Sequence, residues 1–177
     1  MHEITKNEII LASKIPLSSD DIERMLKGKT RIISYKQLMK KNNINEVLEP
    51  FGSCVILYET KDAFGHWICL LKRGNIIEQF DSYGYIPDNQ RKFIPEAYKK
   101  MHYPEKYLVK LLLDSGYKIR YSEFKLQDAN DENVASCGRW VVMRILFKDL
   151  DEYQFKNLFT GKSLKPDLLV TYATMLL

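Results

Sequence analysis

The sequence predicts an α+β protein: a mixed, mainly antiparallel sheet packed against helices, with a buried helix that starts at Cys137. Three observations predict it. Short apolar runs rich in β-formers, at residues 54–58, 66–71 and 76–80, cluster in the middle of the chain. Segments with helix signals precede and follow that cluster. The stretch 137–148 is apolar nearly all round, as a helix in a core must be.

The elements follow in chain order. Ser18-Ser19-Asp20, with Ile22, Met25 and Leu26 after it, reads as an N-capped short helix ending near Gly28. Ser34 is placed to cap a second one running through Leu38 and Met39. Residues 42–50 form a polar connection with at most one helical turn. The runs at 66–71 and 76–80 flank Lys72-Arg73-Gly74-Asn75, a hairpin turn, and Asp81-Ser82-Tyr83-Gly84 ends the second of them. Residues 95–113 read as mostly helical, broken at Pro104, with Leu108, Leu111 and Leu112 on an apolar face. Residues 117–126 alternate as a fourth strand would. Residues 127–136 are polar and loop-like. Two more helices are expected after the buried one, at 151–159 and at 166–177, where Pro166 suits a first turn.

The chain has 177 residues, which fits one domain spanning 1–177 with a real core. Aromatics make up 12 %, enough for a core or a peptide-binding cleft. A formal net charge of +4 on well-mixed signs permits accessory nucleic-acid binding without demanding it. Three cysteines with no paired spacing argue against a disulfide framework. The start lacks a signal peptide's apolar stretch, and no segment approaches the ~20 apolar residues of a membrane span. A reducing compartment and no membrane partner are the expectation. No cofactor or metal motif emerges. His66 and Cys69 have a ligand-like spacing, but three apart on a strand they face opposite sides. Thr160-Gly161-Lys162-Ser163 resembles the end of a phosphate loop, yet Lys156 stands where the motif needs its first glycine.

The chemistry-bearing residues form a set. Cys137 stands where a polar loop meets a buried helix, and a helix N-terminus favours a thiolate. Gly138 next to it offers no side chain to obstruct a substrate and a backbone N–H for an oxyanion. A thiol nucleophile needs a base. Of three histidines, His2 is terminal and His102 lies in a polar connection rich in Tyr and Pro, whereas His66 opens a core strand. An antiparallel hairpin brings the start of one strand near the end of the other, so Asp81 becomes a neighbour that can orient His66. Gln127, in the loop before Cys137, is a candidate oxyanion donor. Asn130 and Asn133 in the same loop are chemically able. Trp67, beside His66, is a candidate substrate contact or water shield.

Gly65-His66-Trp67, Phe80-Asp81-Ser82-Tyr83-Gly84, Gln127 and Ser136-Cys137-Gly138-Arg139-Trp140, in that order, resemble the adenain and ubiquitin-like-protein protease superfamily. That likeness spans roughly residues 54–146. Thr30-Arg31-Ile32-Ile33-Ser34-Tyr35, Leu57-Tyr58-Glu59 and Lys148-Asp149-Leu150 are similar to its branch in virophages, Polinton-type elements and large DNA viruses. The resemblance implies an adenain-like cysteine protease fold and the roles nucleophile (Cys137), base (His66), orienting acid (Asp81) and oxyanion donor (Gln127). It implies cleavage of viral capsid precursor proteins during maturation, after small residues such as Gly, in the virion and the host-cell cytoplasm. The loop between Gln127 and Cys137 is longer than in adenain-like enzymes generally, which leaves Asn133 as a second oxyanion candidate.

Other readings compete. Cys137 taken alone is a buried core thiol, as free cysteines usually are. His66 alone is a hydrogen-bonded core histidine, and Asp81 alone a turn residue. Trp67 and Trp140 suit packing, Arg139 a solvated face, and Cys54 and Cys69 the core. An isopeptidase acting on ubiquitin-like proteins, and a non-enzymatic virion or nucleic-acid-binding protein, would use the same fold.

Overall fold

The computed structural model describes residues 3–62 and 64–177; His2 lies outside them. Among the described residues, two short helices, α1 (Lys6–Ser13) and α2 (Ser19–Leu26), come first. Both open on capping boxes, Thr5 with Glu8 and Ser18 with Asp21, which satisfy N–H groups that the helix itself cannot. Then follow β1 (Arg31–Ser34), α3 (Tyr35–Leu38, capped by Ser34) and α4 (Ile44–Leu48). The central strands are β2 (Ser53–Lys61), β3 (Phe64–Arg73) and β4 (Ile76–Phe80). After a 3₁₀ turn at Asn89–Phe93 come α5 (Glu96–His102), α6 (Tyr107–Leu113), β5 (Lys118–Tyr121), α7 (Cys137–Leu146), α8 (Glu152–Phe159) and α9 (Pro166–Met175).

The five strands form one sheet in chain order. Its centre, β2–β3–β4, is antiparallel, and both edge strands pair in parallel. The fold is therefore α+β with a mixed sheet packed against helices. Three elements differ from the sequence pattern. Residues 31–34 form a strand the sequence pattern did not signal, because four residues are too few to show alternation. The strand expected over 117–126 pairs with β4 only at Lys118–Tyr121, since β4 itself ends at Phe80. The helix α1 was also not anticipated.

Alternation along β3 sorts the core onto two faces. Trp67, Cys69 and Leu71 point to one side, with Val55, Leu57 and Phe80, and there α7 packs through Trp140, Val141, Val142 and Ile145. Ile68 and Leu70 point to the other, with Tyr58, Ile56 and the side chains of α3, α4 and α6. Cys137 through Ile145 are all buried, so α7 is enclosed on every side. Its arginines are inside too, each with partners. Arg144 grips Glu78 of β4 through Nε (3.1 Å to Oε1) and Nη2 (3.1 Å to Oε2). It also donates to the carbonyls of Phe147 and Leu150, so its charge and donors are satisfied. Arg139, expected on a solvated face, instead donates to Thr174 Oγ1 at 2.8 Å and to the Ala12 carbonyl at 3.1 Å, tying α1 and α9 to α7. Arg73 pairs with the same Glu78. These contacts fix where α7 begins, and with it the position of Cys137. Among the described residues no helix is long and apolar enough to cross a membrane.

Candidate active site

The geometry of His66 follows from the hairpin. Gly74 adopts φ 57° in the two-residue link between β3 and β4, a region open to glycine at no steric cost. That link sets the register Cys69 opposite Phe80. Three residues from Cys69 along β3 and one beyond Phe80, His66 and Asp81 share a face as diagonal neighbours. Gly65, next to His66, lets the start of β3 lie close against β2: a Cβ there would lie 1.9 Å from the Tyr58 carbonyl oxygen.

His66 Nε2–H donates to Asp81 Oδ1 at 2.9 Å. Asp81 is fully buried and anchored on its other sides. Its Oδ1 also accepts from the Tyr83 N–H at 2.8 Å, and its Oδ2 accepts from Gln90 Nε2. With Nε2 engaged, Nδ1 is the nitrogen left for Cys137, which lines the same cleft as the ring. Tyr83 stacks on the imidazole, with centroids 4.7 Å apart and planes 13° from parallel, so the ring cannot swing freely. Burial disfavours the charged imidazole. The charge and hydrogen bond of Asp81, helped by Cys137, outweigh that and push the His66 pKa up to about 10. His66 thus stands as an imidazolium next to Cys137 at neutral pH, the counter-charge that a thiolate needs.

His66 belongs to the sheet face that carries Ile68 and Leu70, whereas α7 covers the opposite face. The two meet at the end of the sheet. There His66, Cys137 and Gln127 line one cleft of about 230 Å³, walled by Pro16, Phe64, Tyr83, Phe93, Val134 and Ala135. The cleft shares Tyr83 and Gln127 with a second groove of about 490 Å³ that reaches Tyr85, Lys125 and Lys165. On the other side it shares Pro16, Phe64 and Gly65 with a small hollow of about 110 Å³.

Gln127 is buried, and its amide has a fixed orientation. Its Oε1 accepts from Ser82 Oγ at 2.7 Å, and its backbone N–H donates to the Ser82 carbonyl at 2.9 Å. The carbonyl end is occupied, which leaves the amide NH₂ as the end free to donate elsewhere. Asn130 and Asn133 are exposed, their backbones engaged in turns closed by Asp128 and Asp131, and neither lines the cleft. The structure therefore brings Gln127, not Asn133, to Cys137.

At the start of α7, Ser136 makes no side-chain capping bond. Its hydroxyl donates instead to Asp167 Oδ1 at 2.6 Å. The first N–H groups of the helix, which have no intrahelical partner, are not blocked by that side chain.

Two expected contacts are not brought to the cleft. Trp67 is buried, donates from Nε1 to the Leu17 carbonyl at 3.0 Å, and lines only the adjoining hollow. Gly138 packs inward: a Cβ there would meet Leu17 Cβ at 3.0 Å and Trp67 Cδ1 at 3.3 Å. Its small size makes room for the core rather than for a ligand. Conversely, Gln90 and Asp167 support the site from positions that carry no local signal, and Ser82 does so from within the turn after β4. Tyr83 carried one, its place in the Asp81-Ser82-Tyr83-Gly84 turn. Cys54 and Cys69 are buried free thiols, as Cys137 is.

No family model matches the chain. The uncharacterized protein V9 of Sputnik virophage is 45 % identical to it over 177 residues, covering 95 % of this chain and 99 % of that protein. Among solved structures, the ASFV pS273R protease is similar with a TM-score of 0.47 at 14 % identity, over 91 % of this chain and 67 % of that one. ChlaDub1 from Chlamydia trachomatis is similar with a TM-score of 0.36 at 16 % identity, over 97 % and 75 %.

Proposed function

We propose that this chain, which belongs to one family with the virophage protein V9, is a cysteine endopeptidase that cleaves capsid precursors during virion maturation. The observation that carries the reading is the buried Asp81–His66 pair, joined through Nε2, which presents the other ring nitrogen to Cys137.

Cys137 Sγ attacks the carbonyl carbon of the scissile bond, and the carbonyl π electrons move to oxygen. The Gln127 amide NH₂ and a backbone N–H at the start of α7 receive that oxyanion. Losing one such donor typically lowers the rate ~10²–10³-fold. The C–N bond then breaks as the His66 imidazolium gives its proton to the departing amine, leaving a thioester on Cys137. Neutral His66 takes a proton from water, whose oxygen attacks the thioester carbonyl; the C–S bond breaks, the acid leaves, and the Cys137 thiolate and His66 imidazolium are restored. Asp81 keeps the tautomer and stabilises the charged ring throughout.

The cleft adjoins a groove on one side and a hollow on the other, which suits an extended internal segment of a polypeptide. Aromatic walls from Phe64, Tyr83 and Phe93 around a small volume favour small residues such as Gly at the cut. The host-cell cytoplasm and the assembling virion are the site of action. No cofactor enters any step.

The test incubates the purified protein with the major capsid precursor of the same virus and identifies fragments by mass spectrometry. A discrete cut that Cys137→Ala abolishes supports the reading. Capsid left intact while ubiquitin-based probes label Cys137 would replace it with an isopeptidase.

A further inference from the structure

One buried carboxylate touches both ends of the loop between Gln127 and Cys137. Asp167 lies in the first turn of α9, 31 residues beyond Ser136. Its Oδ2 accepts the backbone N–H of Asp128 at 2.9 Å, the residue next to Gln127. Its Oδ1 accepts Ser136 Oγ at 2.6 Å, the residue next to Cys137, and Trp140 Nε1 at 2.9 Å, one turn into α7. Ser136 and Trp140 are fully buried, and Asp167 itself is 7 % exposed. Thr171 Oγ1 closes back on the Asp167 carbonyl at 2.7 Å and stiffens that turn.

We propose that Asp167 is a positioning residue: it sets the distance between the oxyanion donor Gln127 and the nucleophile Cys137 by holding the neighbour of each with one carboxylate. This deepens the endopeptidase reading and rests on it. The argument is geometric. The intervening residues 128–133 are exposed and cross no element of regular structure, so they do not themselves hold the two ends in register. A second constraint acts on the Gln127 side chain through Ser82, but it refers Gln127 to the Asp81 turn, not to α7. Among the described residues, the hydrogen bonds of Asp167 refer the loop's start to the helix that carries Cys137. Asp167 also draws the Ser136 hydroxyl away from a capping role, which keeps the N–H groups at the start of α7 available. A shift of about 1 Å in such a group costs on the order of 10²-fold in rate.

Asp167→Asn separates the two functions of the carboxylate. The remaining Oδ1 can still accept from Ser136 and Trp140, while the new NH₂ cannot accept the Asp128 N–H. The experiment compares wild type, D167N, Q127A and the double variant, all as full chains, for cleavage of the capsid precursor and for alkylation of Cys137 by iodoacetamide. Alkylation forms no oxyanion. D167N is expected to lower kcat about 10- to 100-fold, with KM and the alkylation rate within about twofold of wild type. Added to Q127A, D167N is expected to slow cleavage no further, because it acts through Gln127. A wild-type kcat in D167N, or an equal loss in the Q127A background, would overturn the proposal. Amide hydrogen exchange keeps the outcomes apart. If wild type cleaves no capsid protein, the endopeptidase reading falls. The tie is then judged by exchange alone: faster exchange at 127–130 in D167N with α7 still protected supports it, and unchanged exchange refutes it.

Discussion

Asp81 Oδ1 meets His66 at Nε2, 2.9 Å away, so the ring nitrogen on the Cys137 side is Nδ1. The contact is made by a β-hairpin, between residues whose backbones share a face of β3 and the end of β4. It is shielded completely from solvent at Asp81. Buried charge is tolerated there because Tyr83 N–H and Gln90 Nε2 donate to the carboxylate as well.

Asp81→Asn tests what the charge contributes. The amide retains an oxygen for the Nε2–H and removes the negative charge that favours the imidazolium. Cleavage is expected to fall by about 10²-fold or more, while secondary structure by circular dichroism is unchanged. The Cys137 alkylation rate near neutral pH is expected to fall with it.

The same pair makes stability depend on pH, with a definite sign. His66 holds its proton more tightly in the folded protein, up to about pH 10 against an ordinary 6.5. A raised histidine pKa means the folded state binds the extra proton. The stabilisation is therefore complete below pH 6.5 and is lost as pH rises towards 10. Urea unfolding of wild type is expected to show stability declining across that window. His66→Gln is expected to flatten this part of the profile.

Ser82→Ala leaves the Gln127 Oε1 without its donor. The amide is then free to turn, and the NH₂ no longer has a fixed direction. A fall in kcat of about tenfold is expected with KM unchanged, and a stability loss of about 1–2 kcal/mol. Kinetics of capsid cleavage together with denaturant unfolding read both effects.

Gly138→Ala places a methyl against Leu17 Cβ at 3.0 Å and Trp67 Cδ1 at 3.3 Å. The two neighbours are tied to each other, since Trp67 is hydrogen-bonded to the Leu17 carbonyl, and one of them must give way to admit the methyl. Overpacking of this kind costs about 1–3 kcal/mol. Urea unfolding is expected to show that loss, and Leu17→Ala in the same chain is expected to recover part of it.

The parts of this site that sequence reveals are those set by short-range rules. The Gly74-Asn75 link and the flanking apolar runs define the hairpin, and the hairpin pairs His66 with Asp81. The all-round apolar pattern of 137–148 places Cys137 at the mouth of a buried helix. Arg31–Ser34 escaped because its pairing with β2 is parallel and lies outside any local turn. The helix at Lys6–Ser13 escaped because it carries a capping box but no clear apolar stripe. Gln90 and Asp167 have no local signal at all. Each becomes informative only when a distant segment folds onto it, as Asp167 does with Ser136. Trp67 and Gly138 stand beside site residues in sequence, but strand alternation and helix packing turn both towards the core.

The most direct measurement of the central claim is the rate of Cys137 alkylation by iodoacetamide at pH 6.5 in wild type and His66→Ala, followed by peptide mass spectrometry. An ordinary thiol of pKa ~8.5 is about 1 % ionised there. The other two cysteines serve as internal references, because burial pushes Cys54 up to about 12 and raises Cys69 as well. The expected result is alkylation of Cys137 at least about tenfold faster in wild type than in His66→Ala, with Cys54 and Cys69 untouched in the folded protein. Equal rates at Cys137 in the two proteins would contradict the account.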